Sequence, residues 1–383
     1  MSAPQFRRVV ESDRDELIRN DLRAFGSSSP LEGALEGWAR HVEWDRFWLA
    51  ADRGDQVGAG GAFTQKLTVP VGDGSNRCST VHCAGVTWVS VQSTHRRLGI
   101  MRGLLDRLGD DARERGEPVM ALFASEGAIY SKVGFGPASE QRAVSVDARR
   151  ARFRSDAPTG GRCRFAEVEE ARPDLEAIFG EFRSGQPGEV TRSDIHWDRC
   201  LADEPAERDG GSRMQVLTHL NDDDQPDGYA RYRQHDSWGS GDPAHRIELI
   251  ELIANTAAAH AELWRVLLAT DLVSTIDAHR FAVDDPLQWI LDDARAVATN
   301  GMWDGIWLKV LDLGAMLEAR ELPTDLFSRV EISSGDVGTL VLGGRSAKSL
   351  AMAGRLAERN AGAAADLDRH LRSCRAPFCT TGF

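Results

Sequence analysis

The chain has 383 residues, 42% of them hydrophobic and 27% charged, which is the composition of a globular protein with more than one domain. Its formal net charge of −13 argues against a nucleic acid partner, because binding to a phosphate backbone needs a basic surface. No segment approaches the unbroken apolar length of a transmembrane helix, and the first residues lack the apolar core of a signal peptide, so we expect a cytoplasmic protein that does not contact a membrane.

A glycine-rich segment, QVGAGGAF at residues 56–63, is the first strong signal along the chain. It lacks the GxGxxG spacing of dinucleotide-binding folds and the acidic residue that follows it there, so a strand with close backbone packing is the favoured interpretation. The segment GVTWVSV at residues 85–91 is rich in β-branched and aromatic residues and predicts another strand.

An amphipathic helix is predicted after that strand, because Ile100, Leu104 and Leu108 recur every four residues. The turn before this helix contains Arg96, Arg97 and Gly99. Free backbone N–H groups at a helix N-terminus, flanked by two guanidinium groups, suit a pyrophosphate. A solvated basic connection is the alternative that the turn alone leaves open.

A further strand is predicted at residues 119–124, VMALFA, and one helix separates it from the strand at residues 85–91. This order is the β-α-β crossover that joins neighbouring parallel strands. A ligand on the helix N-terminus would therefore lie across the ends of both strands.

These segments resemble a known family. The strand, the arginine-glycine turn and the helix look like the coenzyme-binding motif of the GCN5-related N-acetyltransferases (GNAT). The segment ASEGAIYSKVGFGPAS at residues 124–139 is similar to the ASEGxIYxRFGYGPA signature of the Eis aminoglycoside acetyltransferases. Weaker likeness continues through YARYR at residues 229–233 and GIWLKVLDLGAMLEAR at residues 305–320, so the resemblance covers nearly the whole chain.

The resemblance implies acetyl-coenzyme A as the cosubstrate, without a metal, and a set of residues that hold it. Family positions that bind the pantetheine chain through backbone groups correspond to Val89 and Val91. The positions at the pyrophosphate correspond to Arg96, Arg97, Gly99 and Ile100. Ser125 is expected to hydrogen-bond the coenzyme arm, and it could also cap the next helix, since the two roles are compatible.

Tyr130 is the candidate general acid. A leaving thiolate with a pKa of about 8.5 benefits from a positioned acid, and a tyrosine hydroxyl with a pKa of about 10 can donate to it. By resemblance, Tyr130 occupies the general-acid position of the Eis enzymes. A tyrosine in an apolar context is otherwise a core residue with a satisfied hydroxyl group.

The terminal residue, Phe383, is the candidate base. In the family the carboxylate of the terminal phenylalanine reaches the active site, where it takes a proton from the attacking amine. A free α-carboxylate has a pKa of about 3.5, so this role requires burial by the aromatic side chain and its neighbours. Chain termini are otherwise usually disordered.

The substrate pocket is the part that the resemblance defines least. Trp38 looks like the pocket tryptophan of the family, although a buried core tryptophan is an equally good interpretation. Aminoglycoside enzymes of the family also use acidic side chains near the N-terminal loop and beside the terminal phenylalanine. Residues 25–29 and 381–383 read FGSSS and TGF here, without a carboxylate side chain.

Three segments are predicted along the chain, in a mixed α+β fold. Residues 1–155 form a GNAT domain with the coenzyme site and end near a charged, Gly/Pro-containing linker at residues 149–161. Residues 156–290 repeat the crossover, with strands at 246–254 and 272–279 around a helix at 260–270, but lack the arginine-glycine turn. They resemble a degenerate second GNAT domain, so one active site per chain is expected.

Residues 291–383 resemble the sterol-carrier-like C-terminal domain of the family, possibly abbreviated, because residues 320–340 leave room for only one or two short strands. The family also implies self-association as a homohexamer, built as a dimer of trimers. The sequence itself contains no coiled-coil pattern.

Other chemistries find little support in the sequence. The six cysteines form no CxxC pair and have no clustered histidine partners, which indicates free thiols and no metal site. GxxxxGK[ST], HExxH and GxSxG motifs are missing. We therefore expect an acetyl-coenzyme A dependent N-acetyltransferase for primary amines of aminoglycoside-like or polyamine substrates. The alternatives are a protein or peptide lysine acetyltransferase, and a catalytically silent coenzyme-binding sensor or scaffold.

Overall fold

A computed structural model describes residues 4–27, 42–238, 241 and 243–383. Trp38 lies outside these residues, as do the last two residues of the FGSSS segment. Contacts between Cα atoms divide the chain into two compact units. The first contains Met1–Ser139, Pro187–Ile195 and Gly305–Phe383, and the second contains Glu140–Gln186 and His196–Asp304.

The secondary structure is as follows. In chain order the strands are β1 (Gln5–Arg8), β2 (Trp48–Asp52), β3 (Asp55–Pro70), β4 (Cys78–Val91), β5 (Val119–Phe123), β6 (Gly136–Pro137), β7 (Glu140–Asp147), β8 (Arg162–Ala166), β9 (Gln215–Leu220), β10 (Pro226–His235), β11 (His245–Ala254), β12 (Val273–Phe281), β13 (Val297–Asp304), β14 (Ile306–Val310), β15 (Val330–Ile332) and β16 (Leu356–Glu358). The α-helices are α1 (Arg14–Ala24), α2 (Ile100–Glu114), α3 (Gly127–Tyr130), α4 (Val168–Ser184), α5 (Asp194–Leu201), α6 (Ala257–Leu268), α7 (Leu287–Ile290), α8 (Leu313–Ala319), α9 (Ser334–Leu340), α10 (Ala347–Met352) and α11 (Ala363–Leu371).

The first unit is built on a seven-stranded sheet in the order β1-β2-β3-β4-β5-β14-β6. Strands β4 and β5 pair in parallel and α2 connects them, which confirms the predicted crossover. The helix packs through Ile100, Leu104 and Leu108, as predicted, together with Leu105. The glycine-rich segment lies in β3, where a side chain on Gly61 would collide with the ring of Phe47, so close backbone packing is also confirmed.

The second unit is built on another seven-stranded sheet, in the order β13-β7-β12-β11-β10-β9-β8. Strands β11 and β12 pair in parallel around α6, so the predicted repeat of the crossover is confirmed. The N-terminus of α6 is closed by the hydroxyl group of Thr256, which accepts a hydrogen bond from the N–H of Ala259. A helix end that its own side chain satisfies is a poor anion site.

Both units take strands from distant parts of the chain. β7 precedes residue 155 yet belongs to the second sheet, and β14 follows residue 291 yet lies between β5 and β6 in the first sheet. Residues 149–161 lie within the second unit, where Ala151 and Ala157 are buried. The division into three consecutive domains stays a prediction, and strands are exchanged across both of its boundaries.

The C-terminal segment, residues 305–383, contributes four α-helices and two further strands to the first unit in addition to β14. Helices α8 to α11 and the two-stranded sheet β15-β16 surround a buried apolar cluster that includes Leu317, Leu340 and Leu367. A sterol-carrier-like fold for this segment stays a prediction. In the part of the chain that the structure describes, we find no helix that is both long and apolar enough to span a membrane.

Candidate active site

The N-terminus of α2 has the properties of an anion site. Its N-cap is Gly99, with φ of 76°, and neither a side-chain cap nor an acidic residue occupies the first turn. Arg97, two residues before Gly99, also adopts a left-handed conformation, with φ of 65°. The side chains of Arg96 and Arg97 are exposed and, among the described residues, make no hydrogen bond or ion pair. Uncapped N–H groups at the positive end of a 15-residue helix therefore face solvent beside two free cations.

Strands β4 and β5 separate towards the C-terminal end of β4, which is the end that precedes α2 in the chain. Their parallel pairing covers only Cys83–Gly85 against Val119–Ala121, although β4 continues to Val91 and β5 to Phe123. Beyond Gly85 the edge of β4 that faces β5 has no strand partner among the described residues. An extended amide-containing chain can hydrogen-bond such an edge in the way an added strand does.

A β-bulge lies in the separated part of β4. Ala59 pairs with Ser90 and Gly61 with Thr87, so Trp88 and Val89 together oppose a single residue of β3. Trp88 has φ of 51°, and its ring packs against Phe47 at a centroid distance of 5.4 Å. A bulged strand re-aims its backbone groups, and a strained non-glycine residue at such a point is typical of binding and catalytic sites.

Tyr130, at the C-terminal end of α3, is buried, with 7% of its surface exposed. Burial raises the pKa of its hydroxyl group above the usual value, while a hydrogen bond with the side chain of Ser125 opposes the shift and the charge of Glu126 adds to it. The hydroxyl group is therefore fully protonated at neutral pH. Its ring belongs to the apolar cluster on the α2 side of the sheet, which includes Ala84 and Val86.

Ser125 lies two residues after the end of β5 and does not cap the helix that follows. Glu126 occupies the N-cap position of α3, so the helix-capping interpretation of Ser125 is wrong. The side chain of Ser125 acts on Tyr130 instead, where it opposes the effect of burial on the pKa of the hydroxyl group. The expected contact with the coenzyme arm stays a prediction.

Phe383 lies on the other face of the same sheet. Its ring is 5.4 Å, centroid to centroid, from that of Phe123, the last residue of β5. A methyl group on Gly85 would come within 3.2 Å of Phe383 Cδ2. Side chains alternate between the faces of a strand, so Gly85 faces Phe383 whereas Ala84 and Val86 face Tyr130. The two candidate catalytic residues thus flank the gap between β4 and β5 from opposite faces.

The segment before Phe383 is fixed by the carboxylate of Glu189, which is fully buried. This carboxylate accepts hydrogen bonds from the N–H of Thr380 at 2.7 Å, the hydroxyl of Thr380 at 2.8 Å and the N–H of Thr381 at 3.3 Å. Arg192 donates to the hydroxyl groups of Thr381 at 2.9 Å and Thr380 at 2.8 Å. We call Glu189, Arg192, Thr380 and Thr381 the tail clamp.

The tail clamp is in turn anchored to the central sheet. The N–H of Thr68 donates to the carbonyl oxygen of Glu189 at 2.9 Å, and the N–H of Gly188 donates to that of Thr68 at 2.8 Å. Residues 188–191 therefore run beside β3 as a short extra strand. A terminus held in this way differs from the disordered end that a chain terminus usually has.

Three features of the site were not predicted from the sequence: the bulge at Trp88, the tail clamp and the buried amide of Gln65. The clamp joins residues almost 200 positions apart, and no local pattern marks such a pair. No group of three or more potential metal ligands occurs within residues 4–27, 42–238, 241 and 243–383.

Comparison with known proteins matches both halves of the fold. Two GNAT acetyltransferase domain models match, at residues 5–138 and 188–310. An uncharacterized N-acetyltransferase of Streptomyces avermitilis is 32% identical, over 98% of this chain and 99% of that protein. The N-acetyltransferase Eis of Mycobacterium tuberculosis is 34% identical, over 71% of this chain and 74% of that protein.

A solved structure extends the likeness to the whole chain. The crystal structure of Eis1 from Mycobacterium abscessus superposes with a TM-score of 0.83 at 26% identity, and the match covers 99% of this chain and 100% of that one. A GCN5-related N-acetyltransferase from Anabaena variabilis has a TM-score of 0.81 at 13% identity, which shows the shared fold alone.

Proposed function

Because the chain belongs to the Eis-like N-acetyltransferases, enzymes with two GNAT domains, we propose that it transfers the acetyl group of acetyl-coenzyme A to a primary amine of a small polyamine or aminoglycoside-like substrate. The observation that carries this proposal is the gap between β4 and β5, which has an uncapped helix N-terminus at one end and Tyr130 and Phe383 on its two faces.

Acetyl-coenzyme A fits the chemistry of this gap. The backbone N–H groups at the start of α2, with Arg96, Arg97, Gly99 and Ile100, would hold the pyrophosphate. The separated edge of β4 at Val89 and Val91 offers peptide groups that would pair with the pantetheine amides. The thioester would then lie near Gly85, where β4 and β5 part.

Each of the two candidate catalytic residues would carry out one of the two proton transfers that the reaction needs. The carboxylate of Phe383 would take a proton from the amine as its nitrogen forms a bond to the thioester carbon. Tyr130 would give its proton to the sulfur as the carbon–sulfur bond breaks, and the products would be an acetamide and free coenzyme A. Placement on opposite faces suits this division, because the base and the acid must reach two different atoms of the tetrahedral intermediate, the nitrogen and the sulfur.

A small substrate is favoured over a large one by the apolar surroundings of the terminal residue. Phe383 is half-buried and packs against the core cluster that contains Leu67, Val81 and Ala121. An amine that reaches its carboxylate must approach this apolar surface. The net charge of −13 is compatible with a cationic substrate.

Release of free thiol from acetyl-coenzyme A tests the proposal directly. We expect the untagged protein to release thiol in the presence of aminoglycosides or polyamines, and more slowly with a lysine-rich peptide. Fastest turnover of the peptide would instead identify a protein lysine acetyltransferase. Coenzyme binding by calorimetry without thiol release with any amine would contradict the proposed function and favour a silent sensor.

The tail clamp supplies a test that does not depend on substrate identity. In Glu189→Gln an amide NH2 group would face the N–H and hydroxyl donors of Thr380, and buried donors would lose their acceptor. Hydrogen bonds to charged groups contribute about 1.5–3 kcal/mol, so the tail should detach at least about tenfold more often. We expect carboxypeptidase A to release Phe383 faster by that factor and kcat to fall, with coenzyme affinity unchanged.

Glu318→Gln is the matched control, because Glu318 is exposed in the same unit and the change removes one charge there as well. It should alter neither the release of Phe383 nor kcat. Equal rates of Phe383 release from Glu189→Gln and the parent protein would show that the clamp does not hold the tail.

Three further properties rest on the family resemblance. We propose a cytoplasmic location, a homohexameric assembly, and a sterol-carrier-like ancestry for residues 291–383. Light scattering coupled to size-exclusion chromatography tests the assembly, and a monomer would contradict it.

A further inference from the structure

Gln65 is a buried amide at the centre of the proposed site. The residue is 1% exposed, and neither Oε1 nor Nε2 forms a hydrogen bond with any described residue. Native proteins rarely leave both ends of a buried amide unpaired, since the group gives up its hydrogen bonds to water on folding. Such a group needs a partner from solvent or from a ligand, and its place beside Phe383 points to a ligand.

The position of Gln65 links it to the reacting groups. The residue lies on β3 opposite Cys83 of β4, and a methyl group on Gly85 would overlap Oε1 of Gln65. The same methyl group would lie 3.2 Å from Phe383 Cδ2. The absence of a side chain at Gly85 therefore lets the amide and the terminal ring lie close to β4, on the face from which the amine would reach the carboxylate of Phe383.

The described residues around Gln65 offer the amide no hydrogen-bond partner. The core cluster on this face includes Leu67, Val69, Val81 and Ala121, all buried and apolar. A substrate that reached Phe383 without a polar group for Gln65 would leave the amide unsatisfied.

We propose that Gln65 is a substrate-binding residue that recognises a hydroxyl group close to the reacting amine, so that the enzyme prefers amino alcohols. This inference rests on the proposed acetyl transfer and names its substrate class more closely. A primary amide presents an acceptor and two donors side by side. A hydroxyl group both donates and accepts and can therefore satisfy both ends, whereas an ammonium group only donates and a carbonyl group only accepts.

Discrimination between amines with and without the hydroxyl group should be large for this kind of contact. A buried site built to hydrogen-bond a hydroxyl group rejects the analogue that lacks it, because its own polar groups then stay unpaired. Ethanolamine and propylamine form a suitable pair of probes when kcat/KM is expressed per concentration of neutral amine, because the hydroxyl group that replaces the methyl group also lowers the pKa of the amine. We expect kcat/KM for ethanolamine to exceed that for propylamine by about tenfold or more.

Replacement of Gln65 by methionine, which has nearly the same shape, separates recognition from packing. In Gln65→Met the preference for ethanolamine should fall to about one, because the polar partner is lost and the volume is kept. The thermal midpoint should rise by about 2–4 °C, since an unsatisfied buried amide is removed. Gln65→Leu is a second variant with the same expected loss of preference.

Gln141→Met is the matched control. Gln141 is buried in the second unit, and its Oε1 also lacks a partner among the described residues, so its replacement changes a similar amide away from the site. We expect it to keep the preference for ethanolamine. A preference that survives in both Gln65 variants, or a parent enzyme without any preference, would overturn the role of Gln65 alone. Absence of thiol release with every amine tested would overturn the proposed function and this inference with it.

Discussion

Replacement of Tyr130 by phenylalanine should lower kcat for acetyl transfer about 10²–10⁴-fold, which is the contribution of a positioned general acid. The substitution removes one hydroxyl group and keeps the ring that packs at a centroid distance of 6.1 Å from Phe135. Affinity for the coenzyme should stay unchanged, because the hydroxyl acts only as the sulfur leaves. Stopped-flow measurement of thiol release checks the fall in kcat, and calorimetric titration with coenzyme A checks the affinity.

The dependence of this defect on pH follows from the direction of the pKa shift. Burial raises the pKa of Tyr130, so its proton is available throughout the neutral range and is lost only at strongly alkaline pH. We therefore expect the ratio of parent to mutant kcat to stay constant through the neutral range and to shrink only at strongly alkaline pH, where Tyr130 itself loses its proton.

Tyr232→Phe is a matched control for this substitution. Tyr232 is also buried, and its pKa is likewise raised by burial, but it belongs to the second unit. Loss of its hydroxyl group should leave kcat unchanged. If Tyr130→Phe and Tyr232→Phe had equal effects, the hydroxyl of Tyr130 would be a packing group and not an acid.

The sequence predicted the strands and the helix around the proposed coenzyme site well, because their determinants are local. The apolar spacing of Ile100, Leu104 and Leu108 determines which face of α2 is buried, and the residues just before the helix then form its N-terminus. The crossover follows from the order of two strands and one helix, so the parallel pairing of β4 and β5 was within reach of pattern analysis.

The amine side of the site depends on contacts between distant segments, which single-sequence patterns do not encode. Glu189 reads as one more acidic residue, and only the fold brings it to Thr380. Gln65 interrupts no apolar repeat strongly enough to attract notice, and its lack of a partner is a property of the packed structure. The bulge at Trp88 likewise arises from the register between β3 and β4.

The difference between local and long-range determinants also explains why strands are exchanged between the predicted domains. Boundaries drawn from composition assume that a domain is continuous along the chain, whereas pairing is decided by which strand edges remain open. β5 is a short strand with one side taken by β4, and β14 covers its other side from residues 306–310. An open edge on β5 would be a liability for association, and β14 covers it.

Extension of the chain by two glycines after Phe383 should lower kcat about 10²-fold or more, because it moves the terminal carboxylate away while the ring can keep its place. Each added residue displaces the carboxylate by up to about 3.5 Å, and misplacement of a catalytic group by about 1 Å already costs on the order of 10² in rate. Deletion of Phe383 should have at least as large an effect, since both the ring and the carboxylate position are lost. Both variants are compared with the untagged protein by thiol release.

Phe383→Leu separates the ring from the carboxylate. It keeps the chain length and the tail clamp, and it removes only the aromatic contact with Phe123. If the carboxylate is the base, this variant should retain far more activity than the extended chain, although the extended chain keeps the phenylalanine ring. The opposite order would mean that the ring shapes the pocket and that the proton goes elsewhere. The same two glycines added before Met1 provide the control for the extension itself, and they should have no effect.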